Sequence, residues 1–141
     1  MGAFLSFDDL NKVLFIRFEG VVTDEILLAR YRQVREWMAT GGPCSSISDF
    51  SAVASFGVST DGVSQLAASA PLVPDNYLRV VVAPQDEVFG MTRMFEALGS
   101  STRDRVHIVR DVPAAYRLMG IKEPHFRQLL EWWPLRNYSG Y

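Results

Sequence analysis

Residues 78–83 read Leu78-Arg79-Val80-Val81-Val82-Ala83, and this run decides the fold. Consecutive β-branched valines lose side-chain freedom in a helix but sit well on a pleated strand. Successive strand side chains point to opposite faces, so apolar residues at nearly every position predict a strand covered on both sides. Such a strand belongs at the centre of a mostly parallel sheet with helices packed on it.

Working outward supports that architecture. Toward the C-terminus, Asp86 opens a helix whose apolar residues Met91, Met94, Phe95 and Leu98 precede a stop at Gly99. Gly90 inside this helix costs ~1 kcal/mol against alanine, which predicts a close packing contact at that position. Val106 to Val109 is the next strand, and Asp111 caps a short helix with Pro113 in its first turn and Gly120 at its end. Toward the N-terminus, Ser59-Thr60-Asp61 starts a helix with Val63, Leu66, Ala67 and Ala70 on its buried face and Pro71 at its end. A loop over 51–58 follows a strand over Cys44 to Phe50. Thr23 caps a helix on which Leu27, Tyr31, Val34 and Met38 recur at helical spacing, stopped by Gly41-Gly42-Pro43. Before it, Lys12 to Glu19 reads as a strand closed by Gly20, with Val13, Phe15 and Ile16 as buried positions. It pairs antiparallel with a segment from Ala3 to Phe7.

The order is strand, strand, helix, then strand–helix three times, which predicts an α/β domain with a mixed, mostly parallel sheet of about five strands and about four helices. Residues 122–141 differ in character. Pro124 is placed to open a helix with Phe126, Leu129, Leu130 and Trp133 on one face, beside Trp132 and ended by Pro134. The division is therefore a domain over 1–121 and an aromatic helical tail over 122–141, packed on the domain or on a second subunit.

The chain has 141 residues, 48% of them hydrophobic and 21% charged, which suits one globular domain with a real core. A formal net charge of −2 with scattered basic residues argues against nucleic acid as a partner. Cys44 is the single cysteine, so no internal disulfide forms and a reducing, cytoplasmic setting is expected. No stretch approaches the ~20 apolar residues a membrane span requires, and the N-terminus lacks the basic start and apolar centre of a signal peptide.

The hairpin ending Phe18-Glu19-Gly20-Val21-Val22-Thr23, the segment Ile47-Ser48-Asp49-Phe50-Ser51-Ala52-Val53, the strand Val80-Val81-Val82-Ala83-Pro84 with Phe89-Gly90-Met91-Thr92-Arg93-Met94-Phe95 after it, and Val106-His107-Ile108-Val109-Arg110-Asp111 with Ala114-Ala115 narrow the choice. Together they resemble the bacterial SpoIIAA-like family of the STAS group, named for sulphate transporters and anti-sigma-factor antagonists. The resemblance covers roughly residues 4–121. It implies a STAS-like regulatory module. STAS domains are similar in outline to lipid-transfer domains of the CRAL-TRIO kind, which implies an apolar ligand as the second reading. In phospho-switch members a serine after an aspartate opens the helix that Ser59 opens here. Ser59, with Thr60 and Asp61, is thus the candidate partner or phosphorylation site, although Val58 stands in the aspartate's place and Asp61 in that of a glycine.

Read from the residues, Ser59 is first a helix cap. Arg93 is a candidate anion clamp, since guanidinium grips carboxylate or phosphate bidentately. Phe56, Met91, Met94 and Phe95 are the candidate lining of an apolar ligand pocket. Enzyme chemistry finds little support. His107 and His125 belong to no metal-spaced pair, Gly57-Val58-Ser59-Thr60-Asp61-Gly62 misses the nucleophile-elbow spacing by one residue, and no phosphate-cradling glycine loop is present. Asp49 and Asp111 read as turn or cap residues, and Cys44 as a small buried residue. No catalytic residue, metal ligand or cofactor is expected. The expected function is a cytoplasmic regulatory contact module acting on another protein or a second copy of itself, with a small apolar-ligand or lipid-binding carrier as the alternative.

Overall fold

The computed structural model describes residues 2–68, 77–98 and 106–129. Strands β1 (Gly2–Asp8) and β2 (Val13–Thr23) form a hairpin, followed by helix α1 (Asp24–Gly41), strand β3 (Ser45–Gly57) and helix α2 (Thr60–Ala68). Strand β4 (Arg79–Val82), helix α3 (Asp86–Leu98), strand β5 (His107–Val109), helix α4 (Val112–Met119) and strand β6 (Phe126–Gln128) complete the order. The six strands make one mixed sheet in the order β5-β4-β3-β2-β1-β6. Pairings β2–β3, β3–β4 and β4–β5 are parallel, and β1 pairs antiparallel with both β2 and β6. The fold is α/β.

Alternation along the strands divides the core into two layers. Leu14, Ile16 and Phe18 of β2 and Val81 of β4 face α1, α2 and α3, where Tyr31, Val34, Met38, Val63, Leu66, Val88 and Phe95 meet them. Val13, Ile47, Val80 and Val82 take the opposite face and pack against Ala115 of α4 and Ile121. The valines of residues 78–83 therefore do point both ways. Three helices cover one face and one short helix covers the other.

Local chemistry sets the helix ends. Thr23 Oγ1 accepts from Ile26 N–H at 3.3 Å at the start of α1, and Gly42, at φ +90°, donates to the Met38 carbonyl at its end. Asp111 accepts from Ala114 N–H at 2.8 Å to start α4, and Gly120 ends it in the left-handed conformation. Only a residue without a Cβ takes that conformation without strain.

Several expectations need correction. Strand β2 runs past Gly20 to Thr23, and β3 runs to Gly57 where a loop over 51–58 was expected. The small and polar residues of Ser51–Gly57 carry little strand signal of their own. They extend because each edge supplies the other's hydrogen-bond partners, with two register shifts, one between Arg17 and Glu19 and one between Gly20 and Val21. The sheet has six strands rather than about five. The sixth is Phe126–Gln128, where a helix opening at Pro124 was expected. Unpaired backbone groups on the free edge of β1 capture it, and the Phe126 ring packs edge-on to Phe15 and stacks near Tyr116, with centroids 5.3 and 6.1 Å away. The expectations on Ala70, Pro71, Gly99, Leu130, Trp132, Trp133 and Pro134 lie outside the described residues.

Gly90 makes no close contact. It is exposed, and a Cβ built there meets nothing within 4 Å. Its cost to α3 is uncompensated by packing, so Gly90→Ala is expected to raise stability by ~0.5–1 kcal/mol through reduced freedom of the unfolded chain. The urea midpoint of the variant checks this, and an unchanged or lower midpoint would show that the glycine serves a contact after all.

Candidate functional site

The α2 N-terminus is built by residues far apart in the chain. Thr23 turns β2 into α1, which places Asp24 at the first position of that helix. Asp24 Oδ1 accepts the Ser59 N–H at 2.8 Å, and its other oxygen accepts the Ser59 hydroxyl proton. The same hydroxyl oxygen accepts from Gly62 N–H at 3.0 Å, capping α2. One carboxylate thus joins the starts of two helices. The two bonds from Ser59, side chain first, hold the Asp24 carboxyl below its ordinary value. A Cβ at Gly62 would run into the Asp24 carboxylate, so any other residue there would push that side chain out of the latch. Thr60 and Asp61 sit beside this latch and are exposed.

The latch leaves the Ser59 hydroxyl engaged in both directions, as donor to Asp24 and as cap of α2. A phosphate on this oxygen would end the first bond and set its charge against the Asp24 carboxylate, a repulsive placement. Ser59→Ala is expected to lower stability by about 1 kcal/mol through loss of the cap. It should also return the Asp24 carboxyl toward the ordinary range, which a carboxyl-carbon NMR titration reads directly. A titration curve unchanged in the variant would contradict the latch.

The other candidate residues gather around a cavity beneath α2. It has a volume of about 80 Å³ and lies between the sheet and helices α1, α2 and α3. Phe56, Met91 and Phe95 line it, with Phe18, Phe50 and Val63. The Phe18 and Phe50 rings stack 4.5 Å apart at 6°, and Phe56 meets Phe50 edge-on at 5.9 Å. Met94 packs on the core without lining the cavity. Arg93 is exposed, its guanidinium 5.9 Å from the Phe89 ring centre, and lies away from the cavity as well.

Cations of the cavity wall come from elsewhere. Arg79 of β4 is only 6% exposed, and its guanidinium lies between the Tyr31 and Phe95 rings at 5.1 and 5.0 Å from their centres. A desolvated contact of that kind is worth ~0.5–2 kcal/mol. Arg30 of α1 also lines the cavity and donates to Gln33 Oε1 at 3.2 Å. Neither arginine was singled out from the sequence. The available signal was a lone charge inside the apolar run of residues 78–83, since a buried arginine is rare without a purpose. Asp24 was not singled out either, because its partner lies 35 positions away.

The opposite sheet face carries an open groove of about 470 Å³ bounded by Phe15, Arg17, Glu19, Tyr116, Phe126 and Gln128 with Ser6. Burial, then the charges of Asp49 and Asp8, push the Tyr116 phenol up, so it stays protonated at neutral pH. Asp49 is buried and accepts from Ser51 N–H at 2.9 Å, and Asp111 serves as the α4 cap. The Cys44 thiol is buried and its pKa is pushed up to about 11, so it carries no thiolate at neutral pH.

Among the described residues, no three His, Cys, Asp or Glu side chains are grouped to hold a metal, and no helix is long and apolar enough to cross a membrane. Comparison with family models, curated proteins and solved structures finds no match to this chain.

Proposed function

We propose that this chain is a STAS-like regulatory module of the cytoplasm that works by contact with another protein or a second copy of itself, and that it catalyses no reaction. The contact surface is the α2 N-terminus with the end of β3 before it. The observation that carries this reading is the Asp24–Ser59 latch, which fixes two helix starts as one exposed corner bearing Thr60 and Asp61. Preorganised polar groups of this kind lower the ordering cost of association. The sheet order β5-β4-β3-β2-β1 with an antiparallel first pair supports the STAS-like assignment. The Ser59 oxygen, capping a helix and bonded to a carboxylate, argues against a nucleophile at this corner, and the protonated thiol of Cys44, before the other end of β3, argues against one there.

The carrier reading has the apolar cavity in its favour. Its volume of about 80 Å³ falls well short of the ~300 Å³ at which lipid- and drug-sized pockets begin. The larger groove on the other face is open and bears the Arg17–Glu19 ion pair at 3.6 Å, a poor setting for a secluded apolar body. Native mass spectrometry of the protein purified from its own host tests the choice. The contact reading expects a complex with a second polypeptide that is absent when Thr60 and Asp61 are both replaced by alanine. A chain on its own that retains an apolar molecule would overturn it in favour of the carrier.

A further inference from the structure

The open groove beside β6 supports an inference beyond the contact surface. We infer that the chain's own continuation covers it: residues 130–132 extend β6 along β1, and Trp132 closes the groove over Gly2.

The register specifies the placement. Phe126, Arg127 and Gln128 pair with Asp8, Phe7 and Ser6 of β1. The Leu129 amide then bonds the Leu5 carbonyl at 2.9 Å. Among the described residues this outer pairing stops there, while β1 continues to Gly2 against β2. The chain resumes at Leu130 on the line of that edge, so further pairing costs little loop-closure entropy. The same antiparallel register sets Leu130 opposite Phe4, Glu131 opposite Ala3 and Trp132 opposite Gly2. Every second strand residue shares a face, so Leu130 and Trp132 join Phe126 and Gln128 on the groove side of the sheet.

The groove lacks a wall where those two residues fall. Phe15, Arg17 and Glu19 of β2 bound it on one side, and Phe126 and Gln128 of β6 on the other. Gln128 shares a cross-strand row with Ser6 and Phe15. The next two rows, Phe4 with Arg17 and Gly2 with Glu19, have no β6 member among the described residues. Leu130 and Trp132 complete them.

The chemistry of the edge agrees. Gly2-Ala3-Phe4-Leu5 has neither the charges nor the proline that keep an edge strand from recruiting foreign strands, so it calls for cover. Gly2 has no side chain, and an aromatic ring on the neighbouring strand is the device that covers an edge glycine. An indole lying over Gly2 points toward Arg17, whose side chain is 51% exposed, and tryptophan is the best aromatic partner for a guanidinium. The groove, at about 470 Å³, is as large as a pocket for a drug-sized molecule and has room for one indole and one leucine side chain.

The test places cysteines at Ala3 and Glu131 of the full chain. Opposed hydrogen-bonded residues of an antiparallel pair have Cα atoms about 5.5 Å apart, inside the roughly 4.4–6.8 Å that a disulfide spans. Cys44 is buried with its thiol protonated, so it does not compete. With oxidised glutathione, Ala3→Cys/Glu131→Cys is expected to form a disulfide within one chain, and Ala3→Cys/Tyr138→Cys to form far less. Equal yields from the two pairs would overturn the placement. A disulfide between two chains would give the groove to the tail of a second copy and overturn it as well. Hydrogen exchange supplies a measurement without added cysteines. In the native chain the Ala3 amide bonds the Glu131 carbonyl, and Trp132→Ala is expected to speed its exchange by roughly tenfold while the amides of Val80 to Val82 keep theirs. An Ala3 amide indifferent to Trp132→Ala would remove Trp132 from the groove. None of these readouts involves Thr60 or Asp61, so this inference and the contact surface stand or fall separately.

Discussion

Asp8→Ala is expected to destabilise the chain by roughly 3–4 kcal/mol, near the upper end of what a single substitution does. Asp8 is fully buried. One of its carboxylate oxygens accepts from Leu10 N–H at 3.0 Å and Asn11 N–H at 2.9 Å. The other accepts from Asn11 Nδ2 at 2.7 Å and from His125 N–H at 2.9 Å. Alanine would leave four donors without their acceptor, and bonds to a charged acceptor are the stronger kind. Some of these donors lie near solvent and would recover water, which keeps the loss below a simple sum. Asp8→Asn should fall about halfway, since its amide retains one acceptor oxygen but turns a donor toward donors.

Acid provides an independent check on the same residue. Burial on its own would raise the Asp8 carboxyl, but the bonds from Asn11, His125 and Leu10 outweigh it and hold the value below 3.8. A group depressed in the folded state contributes stability above its unfolded value and loses it as the pH falls through the folded one. The stability gap between the native chain and Asp8→Asn should therefore be constant above about pH 5 and close below about pH 4. Urea melts at several pH values measure it, and a gap that persists unchanged into strong acid would refute the assignment.

Leu14→Ala is expected to cost as much, ~3–4 kcal/mol, for a different reason. Leu14 has no exposed surface and lies at the centre of the layer under three helices. Neighbours anchored on both strands and helices cannot close fully around the missing atoms, so the cavity penalty adds to the lost transfer energy. The matched control is Leu118→Ala on α4, 43% exposed, where a change within ~0.5 kcal/mol is expected. A urea midpoint shift of similar size in both would mean that the layer described around Leu14 is loosely packed.

Those two residues also show what a sequence reveals. The importance of Leu14 depends on which strand face it takes, which alternation conveys once a strand is recognised. The helices were legible because their signals are local: Thr23 and Asp111 as caps, Gly42 and Gly120 as stops, and valine runs for β4. Strands that exist only because a neighbour completes them were not. The second half of β3 and all of β6 borrow their hydrogen bonds from β2 and β1. Asp8, likewise, does not stand out in the sequence, since its bond to His125 spans 117 positions.

The candidate site divides in the same way. Val88, Met91, Thr92 and Phe95 repeat on one helical face and line the cavity together. Met94 falls about 100° from the centre of that face and Arg93 about 150°, so helical phase removes both. Phase was calculable from the sequence. Which charges would meet that face was not, because Arg30 arrives from a helix far away in the chain and the face that Arg79 takes depends on how its strand sits in the sheet.

The strand order has a consequence for how the chain acquires its structure. From β1 to β5, each strand lies beside its predecessor in sequence, so every new pairing closes a short segment. Only β6 breaks the sequence, returning across the whole chain to β1, and loop-closure entropy delays such a pairing most. Assembly is therefore expected to proceed as a wave from the hairpin toward β5, with the return of β6 as its final seam. In pulse-labelled hydrogen exchange, the Leu129 amide, which bonds the Leu5 carbonyl at 2.9 Å, should gain protection after those of Val80 to Val82. The reverse order would show that the two distant ends of the chain meet early.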